Sequence, residues 1–242
     1  MSATIGWREL MTPKPEDSER FYGELFNWKI RTVPFGPSTY RLVDAGTKEI
    51  AGIMAFDKPG IPPHWCSYVT VDDVDATAAR AKEAGGTIAN PPTDIPNVGR
   101  FAVLLDPQGA VTVAFKSSNP ADRPSTEPPK TGEFCWEQLN TTATDKGIAF
   151  YEKVYGWKTT PEGGMPVFHA GDKQVASIMQ APPGVPAHWL TYVVVAKLAE
   201  SCERVKKLGG KVLMDRIPVP GIGTYAVVQD NVGAVIGLFE SA

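Results

Sequence analysis

Short runs of alternating apolar and polar residues, separated by proline and glycine, dominate the beginning of the chain. The run Ile5–Met11 alternates as a strand does, which places Trp7 and Glu9 on one face. A helical stretch begins at Pro15 and is predicted to end at Asn27, because asparagine tolerates the left-handed conformation of a C-terminal cap. Three strand-like runs follow it: Lys29–Val33, Thr39–Val43 and Glu49–Phe56.

The same order of elements recurs from Cys66 onwards. A strand-like run at Cys66–Val71 precedes a helical stretch at Val74–Ala84, which ends at a pair of glycines. Three more strand-like runs complete this stretch: Thr87–Ala89, Phe101–Leu105 and Val111–Phe115. The pattern therefore predicts two consecutive βαβββ modules.

A long internal repeat doubles this arrangement. The stretch from Trp7 to Trp28 returns from Trp136 to Trp157, with two Trp, one Leu and a Phe-Tyr pair in register at a constant offset of 129 residues. After the motif Pro-x-His-Trp the offset is 124, so the copy is five residues shorter between Trp157 and Trp189. A repeat of this length predicts two copies of one domain-sized fold.

We therefore predict an α+β fold of two tandem domains, in which four βαβββ modules form two cup-shaped mixed sheets that pair as a pseudo-dimer within the chain. The domains are predicted at residues 1–118 and 131–242. Residues 119–130 contain four prolines and few apolar side chains, which is typical of an extended, semi-rigid linker. With 242 residues and 43% hydrophobic content, the chain is long enough to bury a core in each domain.

Charge and hydropathy narrow the possible partners. The net charge is −3, the pI is near 5.7 and no basic run is present, which argues against nucleic-acid binding. No stretch approaches the roughly 20 apolar residues of a membrane-spanning helix, and residues 1–10 do not resemble a signal peptide. We expect a cytoplasmic protein that does not associate with membranes.

The three cysteines suggest reduced thiols. Cys66, Cys135 and Cys202 occupy positions that the repeat does not match, which is neither a disulfide framework nor a zinc spacing. Cys202 also falls on the apolar stripe of a helical stretch with Leu198 and Val205, so we expect it in the core.

Three motifs together carry a resemblance to a known family. They are F-Y-x-x-L-F-x-W at 21–28, D-D-V-D-A-T-A-A-R-A-K-E-A-G-G at 72–86 and D-P-Q-G-A at 106–110. The combination resembles the vicinal oxygen chelate superfamily of glyoxalases, bleomycin resistance proteins and extradiol dioxygenases. Within that superfamily it resembles the two-domain branch that includes a mycobacterial culture-filtrate antigen and streptomycete proteins labelled hydroxylases. The resemblance covers nearly the whole chain and implies tandem glyoxalase-like domains.

The resemblance also implies where a metal would be held. Catalytic members bind one divalent metal through His, His or Gln, and Glu, located on the first, fifth and last strands of a domain. In the first half these positions are occupied by Trp7, Cys66 and Val113. In the second half they are occupied by Trp136, Leu190 and Gly237. Each set offers at most one donor atom, whereas a zinc or iron site needs about three protein ligands. We expect neither a metal nor another cofactor.

Polar and aromatic side chains on the open sheets are the remaining candidates for a site. Glu9 can act as a base, hydrogen-bond a ligand, or pair with Arg100 or His64. The two histidines of the Pro-x-His-Trp motif line the cleft mouths or cap turns, and Cys66 is a reactive thiol or a core residue. The predicted ligand-binding residues are Trp7, Glu9, Tyr40, Met54, His64, Cys66, Arg100, Trp136, Gln138 and His188, with Glu9 as the candidate catalytic residue.

These residues favour a metal-free protein that binds a small molecule, as bleomycin resistance proteins do. One alternative is a lyase, hydroxylase or dioxygenase of the same fold, using either a metal held by displaced ligands or Glu9 as a base without a metal. A second alternative is a regulatory or interaction module with vestigial clefts. Because both domains are in one chain, we expect a monomer or a weak dimer.

Overall fold

The computed structural model describes residues 3–36, 38–119 and 127–242. Within these ranges the chain forms four helices and sixteen strands, in the order βαβββ repeated four times. The elements of the first half are β1 (Thr4–Thr12), α1 (Pro15–Phe26), β2 (Lys29–Phe35), β3 (Ser38–Ala45), β4 (Lys48–Ala55), β5 (His64–Thr70), α2 (Val74–Glu83), β6 (Thr87–Ile95), β7 (Gly99–Leu105) and β8 (Val111–Ser117).

The second half repeats the same elements. They are β9 (Phe134–Thr141), α3 (Thr144–Tyr155), β10 (Lys158–Glu162), β11 (Met165–Ala170), β12 (Lys173–Gln180), β13 (His188–Val194), α4 (Leu198–Lys207), β14 (Lys211–Val219), β15 (Gly223–Gln229) and β16 (Val235–Ser241). The predicted shortening lies mainly in one hairpin, since β2 and β3 have seven and eight residues whereas β10 and β11 have five and six.

Most predicted elements are confirmed, and one strand differs clearly. The C-terminal caps of α1 and α3 are Asn27 and Gly156, both in the left-handed conformation that the sequence predicts. Strand β6 continues to Ile95, although the sequence analysis ended it at Ala89. Pro91 and Pro92 are tolerated because β6 is the edge strand of its sheet and both residues fall at a register irregularity between Asn90 and Thr93, where neither pairs with β7.

The strands form two sheets of identical topology. The strand orders are β2-β3-β4-β1-β5-β8-β7-β6 and β10-β11-β12-β9-β13-β16-β15-β14. In the first sheet β1 pairs in parallel with β4, and β5 pairs in parallel with β8, while each hairpin is antiparallel. The predicted α+β class, with two eight-stranded mixed sheets built from four βαβββ modules, is confirmed.

Close packing divides the chain differently from the sheets. One compact unit consists of Met1–Trp7, Cys66–Thr126 and Glu137–Trp189, and the other of Arg8–Trp65, Glu127–Trp136 and Leu190–Ala242. Each unit therefore contains one module from each half, whereas each sheet lies within one predicted domain. The predicted domain division at 118 and 131 stays a prediction, and residues 120–126 of the predicted linker lie outside the described residues.

The core of the first unit is built around Tyr151 of α3. Its ring packs against Trp157, Phe168 and Trp189, and its hydroxyl accepts a hydrogen bond from Trp189 Nε1 at 2.9 Å. Trp157 Nε1 donates to the carbonyl oxygen of Ala3 at 2.7 Å, which fixes the chain just before β1.

The second unit repeats this design around Tyr22 of α1. Trp65 Nε1 donates to the Tyr22 hydroxyl at 3.0 Å, and Trp28 Nε1 donates to the carbonyl oxygen of Gly132 at 2.7 Å. Cys202 of α4 is 4% exposed in the same core, which confirms the prediction from its apolar stripe. The residues that mark the repeat, the Phe-Tyr pair and the second Trp, are thus core residues.

Candidate functional site

The open face of β1–β4 is the face that turns away from α1. Arg41 of β3 points to the opposite face, where its guanidinium pairs with Glu16 and Glu19 of α1. Because side chains alternate along a strand, the neighbouring Tyr40 points to the open face. Alternation along β1 places Glu9 there too, since the following residue belongs to the core.

A tyrosine and a carboxylate meet on this open face. The hydroxyl of Tyr40 donates a hydrogen bond to Glu9 Oε1 at 2.7 Å. The ring of Tyr40 crosses β4 at Gly52, where an added Cβ atom would lie 1.7 Å from the tyrosine hydroxyl. Glycine at this position therefore allows the contact. Glu9 is 6% exposed, and the hydrogen bond offsets part of the cost of burying its carboxylate.

Apolar side chains flank this pair. Met11 of β1 and Met54 of β4 lie opposite each other in the parallel ladder. The ring of Phe35 lies 5.8 Å from the ring of Tyr40, centroid to centroid. Trp7 is half-buried and lies on the strand face that Glu9 shares. The open face thus combines apolar walls with one buried carboxylate.

His64 is the first residue of β5. Its Nδ1 lies 2.7 Å from the carbonyl oxygen of Pro62, which can only accept, so Nδ1 is the donor in this contact and Nε2 is the acceptor nitrogen of the neutral imidazole tautomer. Phe56 packs edge-on against the imidazole, with the ring centroids 6.3 Å apart. His64 thus makes the turn contact considered for it, while its place at the cleft mouth stays a prediction. We call Glu9, Met11, Tyr40, Met54 and His64 the Glu9 cluster.

Two further predicted residues have other surroundings. Cys66 is buried in β5, at 6% exposure. Arg100 binds both carboxylate oxygens of Asp75 in α2, at 2.7 and 2.8 Å, and also binds Asp94 at 2.9 Å. The Arg100 hydrogen bonds hold the pKa of the Asp75 carboxyl below its usual range. The prediction that Glu9 pairs with Arg100 is wrong, because the Arg100 guanidinium is hydrogen-bonded to Asp75 of α2 and to Asp94.

The copy has a chain of hydrogen bonds in place of the carboxylate. Gln138 Nε2 donates to Asn140 Oδ1 at 2.8 Å, and Asn140 Nδ2 donates to His188 Nε2 at 3.3 Å. His188 Nδ1 in turn donates to the carbonyl oxygen of Pro186 at 2.9 Å. The structure thus connects two of the predicted residues, Gln138 and His188, through an asparagine that the prediction did not include.

An aromatic cluster covers part of the second sheet. Tyr192 of β13 lies opposite Gly237 of β16, and an added Cβ atom on Gly237 would lie 2.2 Å from the tyrosine ring. The ring of Tyr225 approaches Tyr192 at 5.6 Å in a T-shaped arrangement. Trp136, half-buried, packs against the same cluster as Leu190. The Gly237 position is therefore filled by a neighbouring aromatic ring.

The D-P-Q-G turn belongs to the core rather than to a site. Asp106 Oδ1 accepts backbone hydrogen bonds from Gln108 and Ala110, and its Oδ2 accepts one from the Tyr151 hydroxyl at 3.2 Å. Burial raises the pKa of Asp106, and it likewise raises the pKa of Asp230 in the copy. Both carboxylates fix their turns through backbone hydrogen bonds, and Asp106 also anchors Tyr151.

Sequence comparison decides the family. The model of the glyoxalase/bleomycin resistance protein/dioxygenase superfamily matches residues 4–113. "Putative glyoxylase CFP32" of Mycobacterium tuberculosis is 30% identical over 250 residues, covering 99% of this chain and 95% of that protein. This chain belongs to the glyoxalase/bleomycin resistance protein/dioxygenase superfamily. "Anthracycline biosynthesis protein DnrV" of Streptomyces peucetius is 28% identical, covering 97% of this chain and 92% of that protein.

Solved structures share the fold of this superfamily member. The Mn(II)-bound glyoxalase from Novosphingobium aromaticivorans superposes with a TM-score of 0.67 at 15% identity, covering 99% of this chain and 83% of that chain. The 2,3-dioxygenase LapB from Pseudomonas sp. KL28 superposes with a TM-score of 0.66 at 12% identity, covering 100% of this chain and 94% of that chain. At these identities the likeness concerns the fold.

The residues of this superfamily member do not fit the metal that the family implies. The implied positions in the first half hold an indole, a thiol and an isopropyl group, at Trp7, Cys66 and Val113. In the second half, Gly237 has no side chain and the Tyr192 ring lies against it. Across residues 3–36, 38–119 and 127–242, no group of three His, Cys, Asp or Glu side chains is placed to hold a metal ion.

Two site features were missed by the sequence analysis. The contact between Tyr40 and Glu9 depends on the ring crossing β4, and the glycine at 52 was a signal that could have indicated a close approach. Asn140 lies two residues after Gln138 on the same strand face, so alternation could have included it.

In the ranges that the structure describes, no helix is both long and apolar enough to cross a membrane.

Proposed function

We propose that this protein binds a small organic molecule on the open face of β1–β4, without a metal, and that the Glu9 cluster contacts it. The observation that carries the proposal is the hydrogen bond from Tyr40 to the buried carboxylate of Glu9 across Gly52. A buried carboxylate is costly unless it is hydrogen-bonded, and Tyr40 supplies one such bond to Glu9 on this face. Binding sites typically combine apolar walls with a few placed polar groups, as this face does.

The relatives indicate a class of ligand. A protein named for anthracycline biosynthesis is 28% identical over nearly the whole chain. Anthracyclines are flat polycyclic aromatic molecules, and the walls offered by Phe35, Met11 and Met54 suit a flat apolar body. We therefore propose a polycyclic aromatic ligand. Its binding is tested by equilibrium dialysis of the full chain against an anthracycline, and retention no greater than that by the heat-denatured chain would contradict it.

A metal-free enzyme with Glu9 as base is the second candidate. The observation that favours it is the same buried carboxylate, because a carboxylate shielded from water can accept a proton from a bound substrate. The relative named as a glyoxylase supports an enzyme of this superfamily. Conversion of the retained ligand, followed by mass spectrometry and abolished in Glu9→Gln, would decide for this candidate over binding alone.

We expect Glu9→Gln to weaken binding of a ligand that donates a hydrogen bond to the carboxylate, by about 1–3 kcal/mol. The amide keeps an acceptor for Tyr40 but loses the charge. Titration calorimetry gives the affinity, and Gln138→Ala in the copy is the control, which should bind as the parent does. If Gln138→Ala loses affinity while Glu9→Gln does not, the ligand occupies the second sheet instead.

We also expect treatment with a chelator to leave ligand binding unchanged, because the implied ligand positions lack donor groups. Elemental analysis by mass spectrometry of the purified protein should find no zinc, iron, nickel or manganese in stoichiometric amount. One tightly held equivalent of any of these metals, removed by the chelator together with binding or turnover, would favour a metal-dependent enzyme instead.

We further propose a cytoplasmic location and a monomer or weak dimer.

A further inference from the structure

The two histidines of the Pro-x-His-Trp motif differ at one nitrogen. In both, Nδ1 donates to the carbonyl oxygen of a proline two residues earlier. In the second half, Nε2 of His188 accepts a hydrogen bond from Asn140 at 3.3 Å. In the first half, no group among the described residues hydrogen-bonds His64 Nε2, and the ring has only Phe56 edge-on against it.

The residue that bonds His188 has a different counterpart in β1. Met11 and Asn140 hold equivalent places, since Met11 lies opposite Met54 and Asn140 lies opposite Met179 in the two parallel ladders. Asparagine supplies an N–H to the imidazole, whereas a methionine thioether has none. The imidazole of His64 therefore keeps an acceptor with a fixed tautomer, held by the Pro62 carbonyl.

We propose that His64 Nε2 accepts a hydrogen bond from the bound molecule, and that the site therefore selects an aromatic ligand with outward-pointing hydroxyl groups. This inference rests on the proposed function, because it assigns the ligand of the same open face. The other polar groups of the Glu9 cluster are of the same kind. The carboxylate of Glu9 accepts, and the hydroxyl of Tyr40 gives its proton to Glu9.

The chemistry that this arrangement recognises is a polyphenol. A ligand hydroxyl can donate a hydrogen bond to His64 Nε2. An ether or carbonyl oxygen at the same place would instead bring its own lone pair against the lone pair of Nε2. Sites that pair a specific polar group discriminate strongly against a ligand lacking its partner, because the group is then desolvated without compensation.

A pair of matched ligands tests the inference without changing the protein. Anthraflavic acid is a flat tricyclic quinone with two outward hydroxyls, and its dimethyl ether has the same skeleton without the donors. We expect the full chain to bind anthraflavic acid at least tenfold more tightly than the ether, measured by titration calorimetry. Equal affinities would overturn the inference while leaving the proposed binding function intact. Retention of neither compound, nor of an anthracycline, would overturn both.

A matched pair of variants identifies the nitrogen. Met11→Asn places an amide where the second half has Asn140 and should engage His64 Nε2, which lowers the preference for anthraflavic acid over its ether by about tenfold. Met11→Leu alters the same wall without adding a donor, so it should leave that preference unchanged. Thermal melting of both variants controls for folding. If Met11→Asn binds anthraflavic acid as tightly as Met11→Leu does, or loses both compounds equally, the acceptor role of His64 is wrong.

Discussion

Replacing Trp157 by alanine is expected to lower the free energy of unfolding by about 3–5 kcal/mol. The indole is 2% exposed and packs against Tyr151, Tyr155 and Phe168, with ring centroids 6.0, 5.0 and 5.3 Å away. Truncation leaves a cavity among these rings and also leaves the carbonyl oxygen of Ala3 without its donor. Urea denaturation followed by circular dichroism measures the change.

A smaller substitution separates the two contributions of this tryptophan. Trp157→Phe keeps much of the packing and removes only the N–H, so its cost should be clearly smaller than that of Trp157→Ala. Ile222→Ala is a surface control, because Ile222 is 60% exposed and such changes usually stay within about 0.5 kcal/mol. A Trp157→Ala protein as stable as Ile222→Ala would contradict the central place of this residue in the core.

Placing a methyl group at Gly237 is expected to destabilise the protein by about 1–3 kcal/mol or more, through overpacking. The added Cβ would lie 2.2 Å from Cδ1 of the Tyr192 ring, close to the root of that side chain. Tyr192 is 3% exposed and is held against Tyr225, so the ring cannot turn away without disturbing the aromatic cluster. Thermal and urea denaturation of Gly237→Ala measure the loss.

A double-mutant cycle assigns the cost of Gly237→Ala to the ring. A Tyr192→Ala background removes the three atoms nearest to the added methyl group, so adding Gly237→Ala there should cost little further stability. The coupling energy between the two positions is expected to match most of the single-variant loss. If the second substitution costs the same with and without Tyr192, the destabilisation arises from the backbone of β16 and not from the ring.

Much of the fold was predictable from sequence because its signals are local or repeated. The Phe-Tyr pair and the second Trp recur at one offset, and both mark core positions in the structure. Helix ends at Asn27 and Gly156 followed from the left-handed conformation that these residues tolerate. The extension of β6 through Pro91 and Pro92 was missed because only the sheet order shows that this strand is an edge.

The candidate site was predicted less completely, because partners across strands depend on register. Alternation placed Glu9 on the open face, but it could not show that Tyr40 reaches over Gly52 to bind it. The charge of Arg100 suggested a ligand-binding residue, and only the packing of α2 against the sheet shows that Asp75 is its partner. Long side chains with several rotatable bonds are the hardest to assign from strand alternation alone.

Each compact unit is built from both copies of the repeat, which makes the copies mutually dependent. Trp28 holds the backbone at Gly132, and Trp157 holds the backbone at Ala3, so each copy fixes the start of the first strand of the other. One copy alone would leave half of each core unfilled, and it could complete the core only by associating with an identical chain. Because both copies are in one chain, this packing does not depend on protein concentration. The open faces can therefore differ, as they do at Glu9 and Gln138, while the two cores keep matching residues.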